Sequence, residues 1–77
     1  MNRNEIRALV IQELRRIAPE LEEGDLREDR PLRDQVDLDS MDWLNFLVAL
    51  HERVGKEIPE SDYAKLGTLK AIVDYLA

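Results

Sequence analysis

The stretch Asp37-Leu38-Asp39-Ser40-Met41-Asp42 sets one hydroxyl among three carboxylates, directly ahead of the apolar run 43–50. A serine so placed can cap a helix, ligate a metal, attack a carbonyl or carry a covalently attached group. Calcium is excluded first, although D-x-D is how an EF-hand loop begins. Counting from Asp37, position 5 is Met41, Asp42 stands where the loop needs glycine, and Val48 stands where it needs glutamate. A serine nucleophile needs a base within hydrogen-bond reach. The one histidine, His51, lies eleven residues along the same expected helix, about 16 Å away along its axis. The G-x-S-x-G elbow is also missing, so catalysis by Ser40 is excluded.

Capping and attachment remain. Asp39 or Ser40 can accept hydrogen bonds from the first free N–H groups of the helix. A phosphodiester built on Ser40 would meet those N–H groups and the positive end of the helix dipole. Asp39 and Asp42 would present negative charge to a basic modifying enzyme.

Composition narrows the class. A single domain, 1–77, with no cysteine has no thiol catalysis, zinc-thiolate site, iron–sulfur cluster or disulfide staple. Seventeen acidic against eleven basic side chains give a net charge of −6. That balance excludes nucleic acid and anionic membrane surfaces and favours partners with basic patches. No run approaches the roughly 20 apolar residues of a membrane span. The polar start at Met1–Glu5 is unlike a secretory signal. The expectation is a cytoplasmic helical protein.

Four helices are expected to position the serine. In the first, Ile6, Leu9, Val10, Leu14 and Ile17 recur at helical spacing, with Asn2 or Asn4 as cap and Pro19 as the stop. A long loop, 19–39, follows. Leu21, Leu26, Leu32, Val36 and Leu38 pin it, Gly24 and Pro31 set its turns, and its acids face solvent. The second helix spans about 40–54, with Asp42, Asn45, Glu52 and Arg53 in one polar wedge. Trp43, Leu44, Phe46, Leu47, Leu50 and Val54 fill a broad opposite arc, which describes a helix enclosed by neighbours. Met41 and Val48 lie at the edge of that arc, either as core residues or as apolar contacts for a docking protein. Ser61-Asp62 is expected to cap a short third helix that Gly67 closes. Thr68 caps the last, striped by Leu69, Ile72, Val73 and Leu76.

Asp37–Asp42, the 43–50 run, Glu57-Ile58-Pro59 about seventeen residues beyond Ser40, and the closing 68–76 helix together resemble the acyl carrier protein family over essentially the whole chain. The resemblance implies an all-α four-helix bundle with a long loop between helices 1 and 2 and a short third helix. It implies 4′-phosphopantetheine, supplied by coenzyme A, on Ser40, with Asp39 beside it. The thiol of that group would carry acyl intermediates as thioesters, and the chain itself would be no enzyme. Implied partners are a phosphopantetheinyl transferase, an acyl-loading ligase, and acyl-transfer or condensing enzymes of fatty-acid, polyketide or related synthesis. Met41, Asp42, Asn45, Val48 and Glu52 would meet their basic docking patches. Trp43, Leu47, Ile58 and Tyr63 would border an acyl cleft, Trp43 being first a core residue.

Two departures stand out. Asp37 replaces the glycine common in the family, and Asn45, His51 and Arg53 thin the usual glutamates of the second helix. They point to a specialised stand-alone carrier, expected to be a monomer. An aminoacyl or peptidyl carrier, and an unmodified helical interaction module in which Ser40 is only a cap, are the alternatives.

Overall fold

The computed structural model describes residues 1–77, and every regular element in it is helical. The first helix, α1 (Arg3–Ile17), starts in a capping box: the Asn2 side chain accepts from the Glu5 N–H at 2.8 Å, and Glu5 reaches back to the Asn2 N–H. It ends at Ile17, ahead of Pro19. Its buried stripe is Ile6, Val10, Ile11 and Leu14. Leu9 and Ile17 of the expected stripe are only half-buried.

The long loop holds more structure than periodicity can reveal. A 3-10 turn runs Glu23–Asp25, and a one-turn helix, α2 (Leu32–Gln35), follows Pro31. Leu26, Leu32, Val36 and Leu38 are buried as anchors, and Leu21 packs against the core half-buried. Gly24 needs no glycine conformation, since no residue but Gly55 has a positive φ. The loop's acids are exposed, but two of them do structural work. Arg7 of α1 grips Glu23 at 2.7 Å and Glu28 at 2.9 Å. The Gln35 side chain closes the 27–30 turn with bonds to the Arg27 N–H and to the Arg27 and Arg30 carbonyls.

Backbone bonds stitch this loop to the far end of the chain. Leu32 N–H donates to the Gly67 carbonyl at 2.8 Å, and Lys70 N–H to that of Glu28 at 3.1 Å, around a Pro31–Thr68 bridge. The second long helix is α3 (Ser40–Val54), closed by Gly55 in the left-handed conformation at φ 73°. The segment Glu60–Lys65 is a 3-10 helix entered from Pro59. Ser61 and Asp62 lie inside it and do not cap it, and Gly67 does not close it with a positive φ. The last helix, α4 (Leu69–Leu76), is capped by the Thr68 hydroxyl, which accepts from Ala71 N–H at 3.0 Å, and all four stripe residues are buried.

α1 packs against both α3 and α4 around one core of nineteen apolar residues. One charge enters it. Glu13 is only 4% exposed and meets Arg53 of α3 at 2.8 Å, with Arg16 at 3.4 Å. Its position, seven after Ile6 and three after Val10, lies on the α1 stripe. Arg53, expected in a solvated wedge, therefore ties two helices together.

Candidate functional site around Ser40

The approach to Ser40 alternates between anchors and open positions. Val36 and Leu38 are buried, while Asp37, Asp39, Ser40 and Met41 are exposed. Asp39 is the N-cap of α3: its carboxylate accepts from the Asp42 N–H at 2.8 Å and its carbonyl from the Trp43 N–H at 2.9 Å. Ser40 is the first residue inside the helix, and its hydroxyl makes no hydrogen bond within the chain. Capping is therefore done by Asp39 alone, and the serine is not needed for it. Asp37, Asp39 and Asp42 form no chelating group.

These residues fit a bulky phosphodiester on Ser40. Ser40 and its neighbours Asp39 and Met41 are all exposed, which leaves the approach to the serine open. The leading N–H groups of α3 lie next to it and add a favourable field for an anion. Nothing in the local sequence pattern singles out Arg33. From α2 its Nε donates to the Leu38 carbonyl at 3.4 Å, two residues before Ser40.

From Ser40 an open face runs along α3. Met41 is 66% exposed and Val48 45%, which makes them surface residues and not core; Asn45 and Glu52 are exposed beside them, and Asp42 is half-buried. Leu44 belongs to this face at 41% exposure, against the expectation of an enclosed helix. It lies three residues after Met41 and four before Val48, so its spacing already tied it to both. α3 buries only Trp43, Phe46, Leu47 and Leu50.

Trp43, Leu47 and Ile58 are all in the core, with Tyr63 half-buried against it, and the Trp43 and Phe46 rings pack at 5.3 Å between centroids. His51 holds the connector to this region, its Nδ1 accepting from the Ile58 N–H at 3.2 Å. The cavities lie elsewhere. The largest, about 380 Å³, opens under the first loop between Ala18, Leu21 and Val36 and is rimmed by Glu20, Glu22 and Asp25. Beyond the 3-10 segment, Tyr75 donates its hydroxyl to Asp62 at 2.7 Å. That bond, and then Lys65, hold the Asp62 carboxyl below its ordinary value, while the same bond raises the Tyr75 phenol. No helix is long and apolar enough to cross a membrane.

Residues 4–76 match the family model described as phosphopantetheine attachment site. Among curated proteins, the chain is 32% identical over 72 residues to an acyl carrier protein of Campylobacter hominis, covering 94% of this chain and 85% of that one. It is 30% identical over 76 residues to an acyl carrier protein of Rubrobacter xylanophilus, covering 99% and 93%.

Proposed function

The chain belongs to the acyl carrier protein family, whose members are carriers and not catalysts and bear covalent 4′-phosphopantetheine, and on that premise we propose that Ser40 is the attachment residue. The observation that carries this is the division of labour at the head of α3: Asp39 caps the helix, leaving an exposed Ser40 hydroxyl with no bond to lose. Ser40 gives up its hydroxyl proton to the transferase and its oxygen bonds to the phosphorus next to the pantetheine. The pyrophosphate bond of coenzyme A at that phosphorus breaks, releasing adenosine 3′,5′-bisphosphate. The attached group supplies a thiol that holds an acyl chain as a thioester.

Met41, Asp42, Asn45, Val48 and Glu52, joined by Leu44, form the docking face for the transferase, a loading ligase, and acyl-transfer or condensing enzymes. Its exposed apolar side chains supply contact area, and Asp37, Asp39 and Asp42 steer a basic partner. Of the departures from the family pattern on α3, His51 and Arg53 are taken up by internal bonds. Asn45 is the one that alters the exposed face. The load is an acyl intermediate, carried by a cytoplasmic monomer specialised away from bulk fatty-acid synthesis. Trp43, Leu47, Ile58 and Tyr63 would part to admit a chain that folds back.

Incubation with coenzyme A and a broad-specificity phosphopantetheinyl transferase tests this by intact mass. A gain of one phosphopantetheine that vanishes in Ser40→Ala is expected. An unchanged mass, with a control carrier modified in parallel, leaves an unmodified interaction module. The thioester on protein taken from its host then separates acyl from aminoacyl cargo.

A further inference from the structure

Between residues 31 and 52, Arg33 is the one arginine or lysine, set among Asp34, Asp37, Asp39 and Asp42. Despite those neighbours it forms no ion pair: no carboxylate oxygen comes within 4.0 Å of its guanidinium nitrogens. Four arginines are committed to carboxylates, Arg7 to Glu23 and Glu28, Arg53 and Arg16 to Glu13, and Arg3 to Asp74. Of the four that form no ion pair, Arg33 is the one bonded to the segment that leads into Ser40. Arg33 spends only its Nε, on the Leu38 carbonyl, and at 3.4 Å that bond is longer than a well-made N–H···O contact. The four N–H donors of its two terminal nitrogens are free, at the approach to an exposed Ser40.

Attachment at Ser40 adds a further negative charge to a segment, 33–42, that already carries four acids and one base. The phosphodiester would offer this guanidinium anionic oxygens on Ser40, two residues past the Leu38 carbonyl that it already reaches. We propose that Arg33 is a positioning residue for the prosthetic group, pairing through its free guanidinium nitrogens with the phosphodiester on Ser40 and holding the root of the arm against the head of α3. A guanidinium–phosphate bond joins two opposite charges and can be bidentate, which a single bond to a carbonyl cannot, so the guanidinium pivots toward the phosphate once it is present. The consequence is directional. The arm leaves α3 on the α2 side, with its first charge neutralised before a partner arrives.

This inference rests on Ser40 being the attachment residue, so modification is verified first by mass. The holo protein is then compared as wild type, Arg33→Gln and Arg33→Lys by phosphorus NMR, and by the Arg33 Nε–H resonance before and after conversion from the apo form. Expected are a displaced phosphorus resonance in Arg33→Gln, a smaller displacement in Arg33→Lys, and a moved Arg33 Nε–H signal in wild type. Rising salt should bring the wild-type phosphorus signal toward that of the glutamine variant. Losing the Leu38 bond alone would lower apo and holo melting temperatures equally. The pairing instead makes the holo-minus-apo difference more negative in Arg33→Gln, by about 2–4 °C. A modified protein whose phosphorus resonance ignores residue 33, and whose Nε–H signal stays put on conversion, overturns the role of Arg33 while leaving the attachment residue in place. Absence of any mass gain overturns the attachment itself.

Discussion

The seams around α1 and the head of α3 treat charge in opposite ways. Along α1, side chains of opposite sign meet: Arg7 with Glu23 and Glu28, Arg3 with Asp74, Glu13 with Arg53. At the head of α3, Asp37, Asp39 and Asp42 meet no cation, Arg33 meets no carboxylate, and Met41, Leu44 and Val48 stay open to water. Internal pairing fixes elements that must not move, whereas unpaired groups beside an exposed hydroxyl are available to something from outside. Stability should therefore respond to the seams and function to the head of α3.

The sharpest way to break that contrast is Arg53→Ala. It leaves the buried Glu13 carboxylate with only the exposed Arg16 at 3.4 Å. Because Arg53 itself is about a third exposed, the loss should fall short of that for a fully buried pair, at about 2 kcal/mol. Urea denaturation of the apo protein measures it, and a loss below about 1 kcal/mol would place this pair with surface ion pairs. Next comes the boundary between the regions. Asp39→Ala removes the cap that holds the Asp42 N–H and should cost about 1 kcal/mol. Ser40→Ala should change stability by less than about 0.5 kcal/mol while abolishing modification. Equal losses in the two variants would mean that the serine shares the cap after all.

A smaller effect on folding separates the open face from the core. Met41→Ser combined with Val48→Ser should leave stability within about 0.5 kcal/mol yet raise KM for the transferase. Unchanged KM would take these side chains out of the docking face. The smallest effect is the pH response of the tie between Tyr75 and Asp62. The Asp62 carboxyl is held below its ordinary value of 3.8, chiefly by the Tyr75 hydroxyl, so its contribution is present above that pH and fades as pH falls through the lowered value. The Tyr75 phenol is raised above 10.0 by the same bond, so that contribution persists below pH 10 and is lost as pH climbs through the raised value. In a Tyr63→Phe background, ultraviolet titration should find Tyr75 ionising above 10.0, and Asp62→Asn should bring it back down. A midpoint indifferent to residue 62 would refute the tie.

Much of this was legible from local pattern. The stripes of α1 and α4, the span of α3, the anchors of the first loop and the prominence of Ser40 all follow from spacings of one to four residues. What was not legible depends on residues far apart in the chain. The one-turn helix α2 is too short for periodicity to show, and its first N–H is satisfied by the Gly67 carbonyl, thirty-five residues on. Glu13 is buried because Arg53 comes to it from α3, although its place on the α1 stripe was a signal. Helical spacing groups Leu44 with the enclosed arc because it shows which side chains share a direction, but not whether a neighbour stands there.

Local pattern in the chain is enough to specify helices around one small core, a serine at the head of the most apolar helix and the absence of any thiol of its own. Those properties rest on side-chain type and near-neighbour spacing, which act within a turn or two of backbone. Tertiary structure decided which residue caps α3, which face of α3 stays open and which charges are left unpaired. Each of those depends on what packing brings within a few ångströms, and electrostatic and hydrogen-bond energies are set at that distance.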